Sequence, residues 1–215
     1  MKKLFLLALL LFFGISFSQI NTVEIKKNVT ENPQKYFYDY LEIFKKDPSK
    51  LSQEEMNQLY YGSRFIESGY SLSTFNDDYD EIWKIASRKG LSKTKALKIL
   101  EKAESAYHKT PMNIEILTSM VNIYDAIKEK AKAEICVMQN NRIIKTIDES
   151  GTGRSEESPI CVVTAGEMLN FAKPIMMMGG NFKQKDLKTD EGCILTQYSN
   201  GSASLFVKCI GCFNF

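Results

Sequence analysis

Between Asn32 and Ser150 the apolar side chains recur at the spacing of one helical face, and no other feature limits the fold as strongly. A 3.6-residue period cannot present one face as a strand, so this part of the chain reads as a series of helices. The start and stop signals agree with the period. Asn32 caps a helix with Pro33 at its first position, and Tyr36, Phe37, Tyr40, Leu41 and Phe44 line its inner face. Ser52 and Glu55 form a capping box, each side chain satisfying the other's free backbone amide, with Leu51 stapled onto Met56. Met56, Leu59 and Tyr60 face inward on that helix, which Gly62 closes. A third helix is predicted from Asn76 to Lys89, burying Tyr79, Ile82, Trp83 and Ala86, with Gly90 as its left-handed stop.

Ser92 caps a fourth helix with the stripe Ala96, Ile99, Leu100, Ala103 and Tyr107. Thr110 and Pro111 open a fifth, with Leu117, Met120, Val121 and Tyr124 inside. A sixth runs from Glu129 to Asp148 with Ala133, Cys136, Val137, Ile143, Ile144 and Ile147 on its apolar face. Leu117, Val121, Tyr124, Ala133 and Val137 sit at the offsets of a tetratricopeptide hairpin, although Val121 stands where that repeat prefers glycine and Asn140 where it prefers alanine.

After Ser150 the period changes. Ile160 to Thr164 reads as a short buried strand and Gly166 to Lys173 as one short helix. Ile194 to Tyr198 and Ala203 to Cys209 alternate around Ser199-Asn200-Gly201-Ser202, where Asn-Gly supplies the positive φ of a tight hairpin. The expected class is α+β and predominantly α, with irregular or tetratricopeptide-like helical hairpins followed by a small antiparallel β-sheet. Residues 19–31 read as a linker, 32–150 as the helical region and 151–215 as an α+β region packed on it, all in one domain.

The N-terminus begins Met1-Lys2-Lys3, continues almost wholly apolar from Leu4 to Phe13, and reaches small residues before Gln19. That is the pattern of a signal peptide over residues 1–18, cut after Ser18, because the apolar run is shorter than the ~20 residues a spanning helix needs. The mature chain then carries no transmembrane segment and is periplasmic or secreted. Lys2 and Lys3 account for the whole formal excess of +2, so 28 basic and 26 acidic side chains become 26 of each. The lysines are scattered among acids, which excludes the basic stripe that nucleic-acid binding draws on. With 44% of residues hydrophobic, a disordered chain is excluded as well.

Five cysteines in an exported chain point to disulfides, with one left over. Cys136, on a helical apolar face, is the expected free thiol; Cys161, Cys193, Cys209 and Cys212 are the candidate disulfide cysteines, with three pairings open. Cys209-Ile210-Gly211-Cys212 lacks a following helix to depress a thiol pKa, so a structural bridge is the expected role. His108 is the sole histidine and falls at a helix end, a capping position rather than a catalytic one. No metal site and no cofactor are expected, since paired ligand spacing is missing. Ser150-Gly151-Thr152-Gly153-Arg154-Ser155 superficially resembles a phosphate loop but follows a helix, leaving a helix stop at Gly151 and a weak anion site as its readings.

Tyr36-Phe37-Tyr38-Asp39-Tyr40-Leu41, Leu51 to Glu55, Leu59-Tyr60-Tyr61-Gly62, and Ser150 to Gly153 with Ser155-Glu156 before Val162-Val163 together resemble domain of unknown function family 4919, exported proteins typical of the Bacteroidota. Leu205-Phe206-Val207 is similar to that family's closing strand. The chain departs from the family pattern at Thr152, where an acid is usual, and at Met176-Met177-Met178-Gly179-Gly180. The resemblance implies export and the order of elements, and it carries no activity.

The functional expectation is an exported, non-catalytic module whose helical hairpins meet an unidentified protein or peptide partner. The alternative is a small-ligand-binding protein or cryptic enzyme, its pocket built from Tyr60, Tyr61 and Gly62 on one side and Gly151, Thr152, Gly153, Arg154 and Ser155 on the other.

Overall fold

The computed structural model describes residues 20–66, 77–88, 90–190 and 192–212. The signal-peptide pattern and the helix limits at Asn76 and Lys89 lie outside the described residues.

The first described helix, α1 (Thr22–Glu31), replaces the linker expected there. Its only inward apolar residues are Ile25 and Val29, one turn apart, too few to show a period in the sequence. What holds it is tertiary: Gly62 lets it come close, because a methyl group at that position would stand 2.7 Å from Val29 Cγ2. Asn32 closes α1, its N–H donating to the Asn28 carbonyl, and its side chain accepts from the Lys35 N–H. A π-helical turn (Gln34–Tyr38) then leads into α2 (Asp39–Lys46), and Phe37, Leu41 and Phe44 enter the core while Tyr36 and Tyr40 stay half-exposed.

After a single 3-10 turn (Pro48–Lys50), α3 (Gln53–Gly62) opens with the expected capping box: Ser52 Oγ accepts the Glu55 N–H at 3.1 Å and Glu55 accepts the Ser52 N–H at 2.7 Å. Gly62 remains right-handed and is followed by another 3-10 turn (Ser63–Phe65), so close approach to α1 explains this glycine better than a helix stop.

Four helices follow: α4 (Asp77–Ala86), α5 (Lys93–Lys109), α6 (Ile114–Ile127) and α7 (Lys130–Asp148). Each packs on its successor across a short joint, and α7 also reaches back to α2 and α3. Gly90 is left-handed, as expected, and Ser92 caps α5. The start of α6 lies beyond Thr110 and Pro111 at Asn113, whose side chain accepts two N–H groups, from Glu115 and Ile116. Thr110 serves the other helix, its hydroxyl donating to the Ala106 carbonyl in the last turn of α5.

Trp83 is 43% exposed rather than buried, because Ile82 and Ala86 take the two core positions of α4. Val137 and Ile144 likewise face outward beside the buried Cys136 and Ile143. In each of these pairs one residue lies on the core-facing stripe and its neighbour, about 100° further round the helix, turns to solvent.

The remaining elements are β1 (Ile160–Val162), α8 (Ala165–Met176), β2 (Phe182–Asp190), β3 (Cys193–Asn200) and β4 (Ala203–Cys209). The four strands form one sheet in the order β1-β4-β3-β2. β2, β3 and β4 are antiparallel neighbours, but β1 lies parallel to β4, Ile160 against Val207, so the sheet is mixed instead of antiparallel. Its parallel pair joins segments far apart in sequence, which no local pattern reveals. β2 was not expected; its three lysines in nine residues and the bulge between Asp186 and Lys188 are ordinary protections of an edge strand. The β3–β4 turn uses a left-handed Gly201 at its first central position. Helix α8 covers the sheet face that carries Tyr198 and Asn200, the latter donating to the Ile175 carbonyl.

Replacing Gly62 with Ala is expected to destabilise the fold by about 1–3 kcal/mol through overpacking on Val29. Gly151→Ala is expected to be worse, since its methyl would lie 2.0 Å from the Pro159 carbonyl oxygen, a backbone atom that cannot turn aside. Urea denaturation of the two variants ranks them.

Candidate functional site

The last turn of α3 directs Tyr60 and Tyr61 into the core, where they are 1% and 0% exposed and meet edge to face at 4.9 Å between ring centres. The Tyr61 hydroxyl donates to the Cys161 carbonyl at 3.1 Å, with the Thr146 carbonyl at 3.4 Å. Ser150 completes the joint: its hydroxyl donates to the Ile147 carbonyl and accepts the Cys161 N–H at 2.7 Å. Burial pushes both phenols well above their ordinary pKa. Buried so deeply, these rings offer no face to a ligand.

The glycine loop is tied down with equal thoroughness. Thr152 N–H donates to Ser158 Oγ at 3.0 Å, Gly153 N–H to the Ser158 carbonyl at 2.7 Å, and Arg154 N–H to Thr152 Oγ1 at 3.3 Å. The Gly153 carbonyl in turn accepts the Phe206 N–H, which pins the loop to β4. These amides are spent within the protein, so the loop is not the anion cradle its composition suggests. Gly151 is not left-handed and does not stop α7; it is glycine because the Pro159 carbonyl crosses its α-carbon. Gly153 is left-handed, with Leu205 where a side chain would stand. Thr152 and Arg154 are exposed, and the Ser155 hydroxyl holds the Glu157 carboxyl below its usual range. The structure thus brings the Tyr60-Tyr61 segment and the Ser150–Ser155 segment together through Ser150 and Cys161, as packed wall rather than as an open pocket.

One ionisable group in this wall was not singled out from sequence. Glu167 is 8% exposed in the first turn of α8, and its carboxylate accepts the N–H groups of Val163 at 3.2 Å and Thr164 at 3.0 Å. Thr164 Oγ1 accepts the Glu167 N–H, completing a second capping box that Thr164-x-x-Glu167 spells out in the sequence. Burial pushes this carboxyl above its ordinary value, opposed by the neighbouring Tyr60 hydroxyl and the two amides. Arg64, half-buried nearby, donates to the Gly211 carbonyl inside the Cys209–Cys212 bridge. Burial lowers the guanidinium pKa while the Glu167 charge raises it. Beside Glu167 a shallow pocket edged by Asn113, Glu115 and Asn170 has room for about one water.

Cys209 and Cys212 form the disulfide, with Cα atoms 5.7 Å apart. Cys161 and Cys193, the other two candidate disulfide cysteines, are free. They lie on β1 and β3 with β4 between them, and two strand spacings of about 4.8 Å exceed the reach of a disulfide. Cys136 is free and buried as expected; burial pushes its thiol, like that of Cys161, up to about 11. Among the described residues no three His, Cys, Asp or Glu side chains are grouped to hold a metal ion, and His108 is exposed in the last turn of α5.

A family model described as a domain of unknown function, DUF4919, matches residues 23–190. The chain belongs to that family. The DUF4919 match takes in both tyrosines, the glycine loop and Glu167, and it ends with the last residue of β2. No curated protein and no solved structure matches the chain.

Open space lies on the two sides of α1. One cleft of about 420 Å³ is lined by Thr22, Lys26, Lys27, Thr30, Phe65 and Cys193, among others. The other, about 510 Å³, runs between α1 and α3 past Glu24, Ile25, Asn28, Glu54, Asn57 and Gln58. Neither was visible from sequence, because α1 itself was not.

Tyr61→Phe is expected to lose about 1–3 kcal/mol by leaving a buried carbonyl short of a donor, whereas Arg154→Ala, on the surface, should stay within about 0.5 kcal/mol. Thermal melts distinguish the two. Because the folded pKa of Glu167 is raised, the native state binds its proton more tightly than the unfolded chain does. Its contribution is therefore complete below the ordinary glutamate value near 4.5 and lost as pH rises through the folded value. The stability of Glu167→Gln relative to the parent, measured by urea titration at several pH values, should accordingly rise from acid toward neutral pH.

Proposed function

We propose that this DUF4919 protein is an exported, non-catalytic module that binds a protein or peptide partner. The supporting observation is a row of outward apolar side chains on α8. Leu169 and Met176 stand seven residues apart on one face of α8, and Met177 and Met178 follow its last residue. Met177 is 83% exposed and Met178 64%, with Leu169 and Met176 at 46% and 41%. Methionine is unbranched and polarisable, so such a surface adapts to the contours of a partner. Met176, Met177 and Met178 are consecutive apolar side chains left in water, and such groups mark interaction sites more often than solitary ones do. Export rests on the basic start, the short apolar run and the small residues before Gln19. Among the described residues no helix is long and apolar enough to cross a membrane.

Protein recovered from its native host should begin at Gln19 by N-terminal sequencing and co-purify with a partner in fixed ratio. The double variant Met177→Asp, Met178→Asp should release that partner while its melting temperature stays within about 2 °C of the parent. Undiminished capture by the double variant would remove α8 as the binding surface, and no fixed-ratio partner for the parent would remove the interaction role.

A further inference from the structure

The groove between α1 and α3 has a floor of Ile25 and Gln58, half-buried Asn28 and Asn57 on its facing walls, and exposed Glu24 and Glu54 at its mouth. Its volume of about 510 Å³ falls within the range of sites that hold small ligands or short segments. Among the described residues no lysine or arginine lines it; those of α1, Lys26 and Lys27, line the cleft on the opposite side of the helix.

The hydrogen bonds already made fix what the walls have left to offer. Gln58 Nε2 donates to the Ile25 carbonyl at 3.1 Å, and a carbonyl can only accept, so Gln58 Oε1 must face Asn28 and Asn28 Nδ2 must be the donor to it, also at 3.1 Å. The oxygen of Asn28 is left over. Across the groove, the Thr146 hydroxyl donates to the Arg142 carbonyl at 2.8 Å, so it accepts from Gln53 Nε2, which also donates to Asn57 Oδ1. The nitrogen of Asn57 is left over. One unspent acceptor and one unspent donor on opposite walls match the N–H and C=O of an extended main chain. At the mouth, Glu54 makes no hydrogen bond or ion pair among the described residues, and Glu24 is met only by Asn21.

We infer that this groove binds an extended peptide segment bearing a lysine or arginine, its backbone held by Asn28 and Asn57 and its cation by Glu54 and Glu24. The surface differs from the methionine row on α8, so either can fail alone. A free polyamine presents the same ammonium chemistry without the peptide groups.

The test is fluorescence anisotropy of fluorescein-labelled Gly-Lys-Gly-Lys-Gly-Lys titrated with the full chain. Saturable binding is expected, weakening with salt, absent for the matching Gly-Glu peptide, and reduced at least about fivefold by Glu54→Gln and by Asn57→Ala at unchanged melting temperature. Should Asn57→Ala not fold, Glu54→Lys at the exposed mouth gives the same loss. Failure to saturate at about 1 mM protein overturns the inference, as does binding indifferent to Glu54. Spermidine displacing the peptide, with Asn57→Ala binding both as well as the parent, assigns the groove to a free amine and likewise overturns it.

Discussion

Tyr61 reaches from α3 across the end of α7 to the first strand, and its hydroxyl bond to the Cys161 carbonyl connects the helical part of the molecule with the sheet. Helices and sheet satisfy their backbone groups internally, so where they meet the polar atoms of one must be matched by side chains of the other. Ser150 supplies the second link and the Glu167 carboxylate the third, at the entry to α8. Two nearby glycines permit close packing in turn, Gly62 admitting α1 against α3 and Gly151 admitting the Pro159 carbonyl. Segments that resemble a binding signature are thus occupied with holding two layers together.

The helical half was legible because its rules are local. Ser52 with Glu55, Ser92 and Gly90 do what their positions predict, and the apolar period places α5, α6 and α7 closely. The errors have identifiable physical sources. Helix α1 owes its place to two side chains and a neighbouring glycine, so its own sequence carries almost no period. β2 is disguised by the lysines that protect it as an edge. Trp83, Val137 and Ile144 face outward because a helix face admits fewer apolar residues than the sequence offers.

The site was less legible than the fold. Tyrosines and glycines in a shared pattern carry no mark that separates a pocket from a joint; only burial and the fate of each amide do so. Glu167 illustrates the converse. Its capping role is written in Thr164-x-x-Glu167, while its burial against Tyr60 arises from α8 lying over the end of α3. The groove along α1 depends on two helices and on the directions of four carboxamides, none of them readable before those helices are packed.

The parallel pairing of β1 with β4 has a kinetic side. Ile160 meets Val207 only after α8, β2 and β3 have been laid down, and β4 then sits between β1 and β3. A chain emerging from its N-terminus can build the α5–α7 stack from neighbouring segments while β1 waits without a partner. Contacts of long sequence separation form slowly, because loop closure precedes any gain from pairing. Completion of the sheet is therefore expected to be the late step of folding, and the Arg64 bond to the Gly211 carbonyl, which lies beyond β4, waits on the same segment.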